Sequence, residues 1–340
     1  MIDPTVLTVI LNYRTPEMAL DSAAAAVRAM DGIKGEILIV DNASPDDSYE
    51  LILATLADAN WNREGRVRVV QSGHNGGFGA GNNFGMQTGL SSGEKPDFYY
   101  LLNSDAFPNP KAIIRLRDFL TAYPRAGLAG GQSRGLNGEL QHSAFRFPSI
   151  ASEFETGAKT GFISRLLKNS RVSIPIPDAD TQVDWVEGSN LMLRRQMLDE
   201  IGMFDEIFFL YFEETELCFR AAQAGWRAYF VPSSEVLHIG SASTGMKSWS
   251  RTPQYWFDSR CYFYTKNHGA AYMAATTLAR IAGCVIWRVR RVSPNKPLGD
   301  PPMFLRDLVT HSIRVLFGRT PQKVAPDQLP ATQAVMEDQK

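Results

Sequence analysis

The chain has 340 residues, 44% hydrophobic and 21% charged, an ordinary globular composition large enough for one big α/β domain with an appendage or for two modest domains. Its 35 Lys and Arg against 36 Asp and Glu leave a formal net charge of −1, so no global field draws it to nucleic acid and no such partner is expected. Three widely spaced cysteines, Cys218, Cys261 and Cys284, exclude a disulfide scaffold, and Met1 opens no signal-peptide pattern, so a reducing, cytoplasmic location is expected.

In chain order, Val6 to Leu11 reads as a strand and Pro16 to Met30 as a helix. Glu36 to Val40 is a second strand, and Asp46 and Asp47 open a helix that runs through Leu56. Arg66 to Gln71 and Phe98 to Leu102 are further strands, and Lys111 to Tyr123 is a helix. Continuous apolar strands separated by helices predict a mostly parallel sheet covered on both faces, with ligands at the carboxyl ends of its strands. The pattern then loosens through the glycines from Gly127 to Gly138, and Ser149 to Asp180 carries no assignable period. Order returns with a strand pattern from Trp185 to Leu193, a short helix, a helix from Glu213 to Gly225 and a strand from Arg227 to Val231.

The strand ends carry polar residues: Asn12-Tyr13-Arg14, Asp41-Asn42-Ala43-Ser44, the loop from Asn75 through Gly76, Gly77 and Phe78 to Asn83, and Asn103-Ser104-Asp105. Each alone is an ordinary turn or helix cap, but four on one sheet edge point to a nucleotide site. The glycine loop lacks the G-x-G-x-x-G spacing and no G-x-x-x-x-G-K-[ST] occurs, which disfavours a Rossmann oxidoreductase and a P-loop NTPase. Asp105 can offer a carboxylate to a hard divalent cation that also binds a diphosphate, although Asn-x-Asp before Pro108 is also a common turn. Glu213, Glu214 and Glu216 follow the aromatic run Phe208 to Phe212. They are either partners of a helix dipole or, in apolar surroundings, carry a general base. His238 ends a strand and, if placed with Asp105, completes a metal site.

These blocks resemble glycosyltransferase family 2, and within it the bacterial rhamnosyltransferase-like enzymes. The resemblance rests on Val9 to Tyr13, Ile39 to Ser44, Asn75 to Phe78 with Gly81-Asn82-Asn83, Leu101 to Asp105, Trp185 to Ser189, Gly202 to Glu206 and the Glu213-Glu214 helix. It implies a GT-A fold over residues 1–240, with a nucleotide-binding half to about 125 and an acceptor half from 126 to 240, followed by a helical region at 241–340. It also implies an inverting transfer from a dTDP- or UDP-sugar to a glycan or polyprenyl-linked acceptor, with Mg²⁺ or Mn²⁺ as cofactor. The strand-end residues hold the nucleotide, Asp41 lies near the base, and Asp105 and His238 hold the metal. Glu214 matches the catalytic base, while Trp185, Glu187, Gly188, Ser189 and Glu213 lie where the sugars meet. The metal motif here is Asn-Ser-Asp where the family has Asp-x-Asp, and the base is Glu where the family commonly has Asp. For Trp185, a buried core role stands beside a sugar-stacking one.

From Arg280 to Lys323 basic residues far outnumber the two acidic ones, Asp300 and Asp307. With the apolar stretch from Ala270 to Trp287 and the helical spacing from Met303 to Phe317, this predicts helices lying on an anionic membrane surface, or else an ordinary helical appendage or an oligomer contact. A sugar nucleotidyltransferase would need a G-x-G-T-R-type loop after the first strand, which is missing. A noncatalytic nucleotide-sugar or carbohydrate-binding module is the alternative outside enzymes.

Overall fold

The computed structural model of the protein describes residues 3–240, 249–290 and 299–318. Its first half alternates β1 (Val6–Asn12), α1 (Pro16–Ala29), β2 (Gly35–Asp41), α2 (Ser48–Asp58), β3 (Val67–Gln71), α3 (Phe78–Thr88) and β4 (Phe98–Asn103). Pro16 opens α1, where a missing N–H costs nothing. The four strands are parallel, with Val6 opposite both Gly35 and Phe98. Asn12 therefore lies opposite Asp41, and Leu11 opposite Asn103, which brings their polar ends to one edge. Alternate residues feed two cores. Val6, Ile10, Ile37 and Ile39 pack toward α1, while Leu7, Val9, Leu38 and Val40 share the other core with Met86 of α3.

The chain continues through β5 (Ala106–Pro108), α4 (Ala112–Ala122), β6 (Ala126–Arg134), β7 (Ala144–Phe145), α5 (Ile150–Ala158), α6 (Gly161–Leu166), β8 (Thr181–Val183), β9 (Trp185–Val186) and β10 (Asn190–Arg194). It then forms α7 (Arg195–Ile201), α8 (Glu213–Gln223) and β11 (Arg227–His238). The nine-stranded sheet runs β3-β2-β1-β4-β10-β6-β11-β5, with β8 also on β11. Within that sheet β10, β5 and β8 run against their neighbours, and β7 and β9 form a separate antiparallel pair. Two sequence expectations are corrected here. The glycine stretch expected to loosen is largely β6, a buried interior strand. A Cβ at Gly131 would stand 2.2 Å from Asn190 Nδ2, so glycine is there for close packing rather than for a turn. The segment from Trp185 to Leu193 is two short strands in different sheets, broken by Glu187-Gly188-Ser189.

The unassigned stretch contains α5, opened by a Ser149–Ser152 capping box, and α6. After the strands come α9 (Gln254–His268), which the sequence did not announce, α10 (Ala270–Arg290) and α11 (Phe304–Leu316). Helix α10 lies directly on α5, for a Cβ at Gly283 would stand 2.4 Å from the Phe154 carbonyl oxygen. Arg280, which interrupts the apolar stretch, is buried, 3.1 Å from Asp300 Oδ1 and 3.9 Å from Glu153 Oε2. Arg260 of α9, fully buried, bonds Glu153 at 2.8 Å. Part of the expected basic surface is thus internal, and Arg291, Lys296, Arg319 and Lys323 fall outside the described residues. Helix α9 also grips the segment before α8. Ser259 Oγ donates to the Leu210 carbonyl at 3.0 Å, Tyr262 donates to Asp205 at 2.9 Å, and Lys266 bridges Asp205 and Glu216 at 2.7 and 2.5 Å.

Candidate active site

A cleft of about 620 Å³ opens at the carboxyl ends of the parallel strands. Leu11, Tyr13, Asn42, Asn75, Gly77 and Phe78 line it from the strand ends and the glycine loop, and Asn103, Ser104, Asp105 and His238 from around β4, β5 and β11. Glu187, Gly188, Ser189, Glu213 and Glu214 line it as well.

The glycine loop is held by side-chain amides. Asn42 Nδ2 donates to Asn75 Oδ1 at 2.9 Å and to the Gly77 carbonyl at 3.2 Å, and Asn75 Oδ1 accepts from the Gly77 N–H at 3.0 Å. Gly77 sits at φ +90°, and a Cβ there would come within 1.8 Å of the Phe209 carbonyl oxygen. That carbonyl accepts from the Phe78 N–H at 3.0 Å, joining the loop to the segment before α8.

Several expected site residues do not line the cleft. Asp41 is fully buried and accepts from Asn12 Nδ2 at 2.9 Å, Ser44 Oγ at 2.6 Å and the Ser44 N–H at 3.1 Å, which ties β1 to β2. Arg14, at φ +60°, donates its N–H to Ser44 Oγ at 3.0 Å. Asn83 bonds both backbone polar groups of Phe204. Gly76 is the outer residue of the loop and does not line the cleft. Trp185 stacks on Phe145 with ring centroids 4.1 Å apart and donates to the Arg146 carbonyl at 2.9 Å, so it packs the β7–β9 ribbon beside the cleft.

Asp105 and His238 do meet. Pairing of β5 with β11 sets His238 opposite Ala106, and the Ile239 N–H donates to the Asp105 carbonyl at 3.1 Å. His238 Nε2 is then 3.3 Å from Asp105 Oδ1 and 3.5 Å from Asn103 Nδ2. Ser104 is fixed by Thr15, their hydroxyls 3.0 Å apart. One carboxylate and one imidazole on an open cleft suit a borderline or hard divalent cation that takes its remaining ligands from substrate oxygens and water. Among the described residues no group of three or more His, Cys, Asp or Glu could hold a metal by itself.

The acidic wall is the electrostatic centre. Glu214 Oε1 accepts the Gly188 N–H at 3.1 Å, and Glu187 accepts from Ser133 Oγ and, at 2.9 Å, from Ser143 Oγ. Burial pushes the Glu214 carboxyl up to about 7, and the neighbouring Glu187 charge adds to the shift. Burial also raises Glu213 well above the carboxylate range, with the Glu214 charge second, and its Oε2 is buried without a hydrogen-bond partner. Tyr211 and Phe212, both at φ +70°, turn the chain sharply into α8 just before the pair. Such a carboxyl can take a proton from a hydroxyl near neutral pH.

Sequence reasoning missed Glu139, Leu140, Gln141 and His142, which reach the cleft on a hairpin closed by Arg134 and Leu140. The glycines at 135 and 138 signalled a turn, but not where it would fall. Phe209, Leu210 and Tyr211 also line the cleft, and their aromatic run was legible only as a neighbour of the glutamates.

Residues 5–164 match the family model described as glycosyl transferase family 2, and residues 100–293 that described as glycosyl transferase family group 2. The N-acetylglucosaminyl-diphospho-decaprenol L-rhamnosyltransferase of Mycobacterium tuberculosis is 29% identical over 251 residues, 71% of this chain and 78% of the relative. The Escherichia coli rhamnosyltransferase WbbL is 28% identical over 174 residues, 48% of this chain and 60% of the relative. Among solved structures, the mannosyltransferase PcManGT of Pyrobaculum calidifontis, in complex with GDP-Man and Mn²⁺, superposes with a TM-score of 0.52 at 13% identity, covering 94% of this chain and 82% of that one. GalNAc-T7 with UDP, GalNAc and Mn²⁺ gives 0.52 at 14% identity, covering 91% of this chain but 55% of that longer one. The two structures speak to the fold, which is GT-A. Since the second family match alone spans more than half of the chain, and its sequence blocks meet on one cleft, the chain belongs to glycosyltransferase family 2.

Proposed function

We propose that this glycosyltransferase transfers a rhamnose from a dTDP- or UDP-linked donor, with inversion, to a hydroxyl of a polyprenyl-diphosphate-linked glycan at the inner face of the cell membrane. The observation that carries the reading is Glu214, held by the Gly188 N–H on the cleft that also contains Asp105 and His238. The names of the relatives support the sugar and the lipid-linked acceptor.

In this reading Tyr13, Asn42, Asn75 and Gly77 hold the nucleotide, with Asn12, Asp41, Arg14, Gly76 and Asn83 supporting them from behind. Asp105 and His238 hold a Mg²⁺ or Mn²⁺ ion, which when bound neutralises charge on the leaving diphosphate. Glu214 accepts the proton of the attacking acceptor hydroxyl as the new glycosidic bond forms. Glu187 supplies negative charge beside it, Glu213 flanks it as a buried carboxyl, and Gly188 and Ser189 leave room for the sugars. We further divide the chain into a catalytic unit at 1–240 and a helical region at 241–340.

The test is transfer by the full-length protein from dTDP- and UDP-rhamnose, against other nucleotide sugars, to N-acetylglucosaminyl-diphospho-polyprenol, with and without Mg²⁺ or Mn²⁺. Inversion is read from the anomeric configuration of the product by NMR. Donor binding without transfer to any glycan acceptor would identify a binding module instead. Transfer of a different sugar, or undiminished transfer in chelator, would overturn the corresponding part of the proposal.

A further inference from the structure

We propose that the outer face formed by α6 and by α10 from Leu278 onward docks on an anionic lipid surface. The inference rests on the lipid-linked acceptor proposed above and adds which side of the molecule meets the membrane.

Helix α10 buries Thr277, Arg280, Gly283 and Cys284 against its neighbours. Leu278, Ala282, Val285 and Val289, spaced by four, three and four residues, form a single stripe on its other side. Leu278 is 66% exposed, Val285 48% and Val289 70%. Arg290 donates to Thr160 Oγ1, which brings the start of α6 beside the last turn of α10. There Phe162 and Leu166, one helical turn apart, are each 72% exposed. Five large apolar side chains are therefore exposed on two adjoining helices, more than scattered surface residues account for.

Charge decides what covers them. No acidic residue occurs between 159 and 177 or between 270 and 290, whereas Arg165, Lys168, Arg288 and Arg290 accompany the apolar residues. In a two-fold contact between copies these cations would crowd against the same cations of the partner, which opposes association. Anionic headgroups are complementary to them, and the stripe can enter the acyl boundary while the arginines stay among the phosphates. Helix α10 is long and apolar enough to cross a membrane by length and composition alone, but its other side is committed to α5 and to buried Arg280. It is consequently an interfacial helix.

The experiment is co-sedimentation of the full chain with phosphatidylcholine vesicles, with and without phosphatidylglycerol, at low and high salt. The wild type should bind only the anionic vesicles and release at high salt. Leu278→Glu with Val285→Glu should weaken binding by about tenfold or more, with the melting curve and nucleotide binding unchanged because both positions are exposed. Arg165→Glu with Arg288→Glu should weaken it and flatten the salt dependence. Vesicle binding unaffected by the Leu278/Val285 pair, or no vesicle binding at all, would overturn the proposal. So would a concentration-dependent dimer in sedimentation that the same pair abolishes, since the occupant would then be a second copy. Because vesicle binding needs no donor, a protein that docks yet transfers no sugar refutes the proposed function and supports the surface.

Discussion

Glu214→Gln separates catalysis from folding in one variant. The amide keeps the size of the side chain and its oxygen can still accept the Gly188 N–H, now 3.1 Å away, but it cannot take a proton. Transfer should fall by about 10² to 10⁴. The wild-type rate should rise with pH through about 7, where the buried carboxyl ionises, and the variant should lose that limb. Stability should move the other way. A carboxyl raised from 4.5 to about 7 on folding costs the fold nothing below 4.5, progressively more between the two values, and its full penalty above 7. That penalty is about 3 kcal/mol, which in a chain of this size corresponds to about 4 °C in Tm. The variant should melt higher than wild type at pH 8 by about this amount, with the gain gone at pH 4.5. The assays are initial rates and calorimetry across pH 4.5 to 8.5. A variant with wild-type turnover refutes the assignment. If Glu213→Gln alone loses turnover while still binding donor, the neighbouring glutamate is the base, since the two point about 100° apart around the helix.

Asp105→Ala should abolish metal-stimulated transfer while leaving the melting temperature near wild type, as a Mn²⁺ titration of initial rates with a parallel melt will read. Gly77→Ala drives a methyl into the Phe209 carbonyl at a left-handed φ, so it should destabilise by about 3 kcal/mol or more in denaturant titration and weaken nucleotide binding. Arg260→Met leaves Glu153 without its closest cation in a buried site and should cost about 3–5 kcal/mol, read from the urea midpoint. His311 is pushed up to about 9: burial opposes its charge, but Asp258 at 2.6 Å and Cys261 outweigh it. Its contribution should be complete below pH 6.5 and disappear as pH rises through about 9, a loss that His311→Gln should not show in melts between pH 6 and 10.

The parallel half of the sheet was legible because β1, β2 and β4 are unbroken apolar runs whose faces both need covering. β6 was hidden because glycine signals turns, whereas here it clears space for Val186, Asn190 and Trp226. Helix α9 was hidden for a different reason. It buries Asp258, Ser259 and Arg260 along with Phe257, Cys261 and Phe263, so no apolar stripe marks one side of it. At the cleft, short-range order carried Asp105 and Glu214, since each sits where a strand or an aromatic run gives way to polar residues. What linear reading could not separate was a residue facing the cleft from one bracing it. Asn42 and Asp41 are adjacent, yet Asn42, just past the end of β2, lines the cleft and Asp41, the last residue of that strand, is bonded to Asn12 and Ser44. The hairpin residues from Glu139 to His142 depend on the pairing of distant strands, which no local pattern encodes.

The stretch from Asp205 to Phe212 has one side against the glycine loop, through the Phe209 carbonyl, and the other against α9, through Ser259, Tyr262 and Lys266. It is a party wall shared by two halves that look separable in sequence. Glu213 and Glu214 start at its end, so their alignment depends on partners more than forty residues downstream. The helical region therefore cannot be exchanged alone without loosening that stretch. A chimera that takes residues beyond 240 from a relative must import the matching 205–212 segment, or restore by design the contacts of Asp205 and Leu210, for the glycine loop to remain seated.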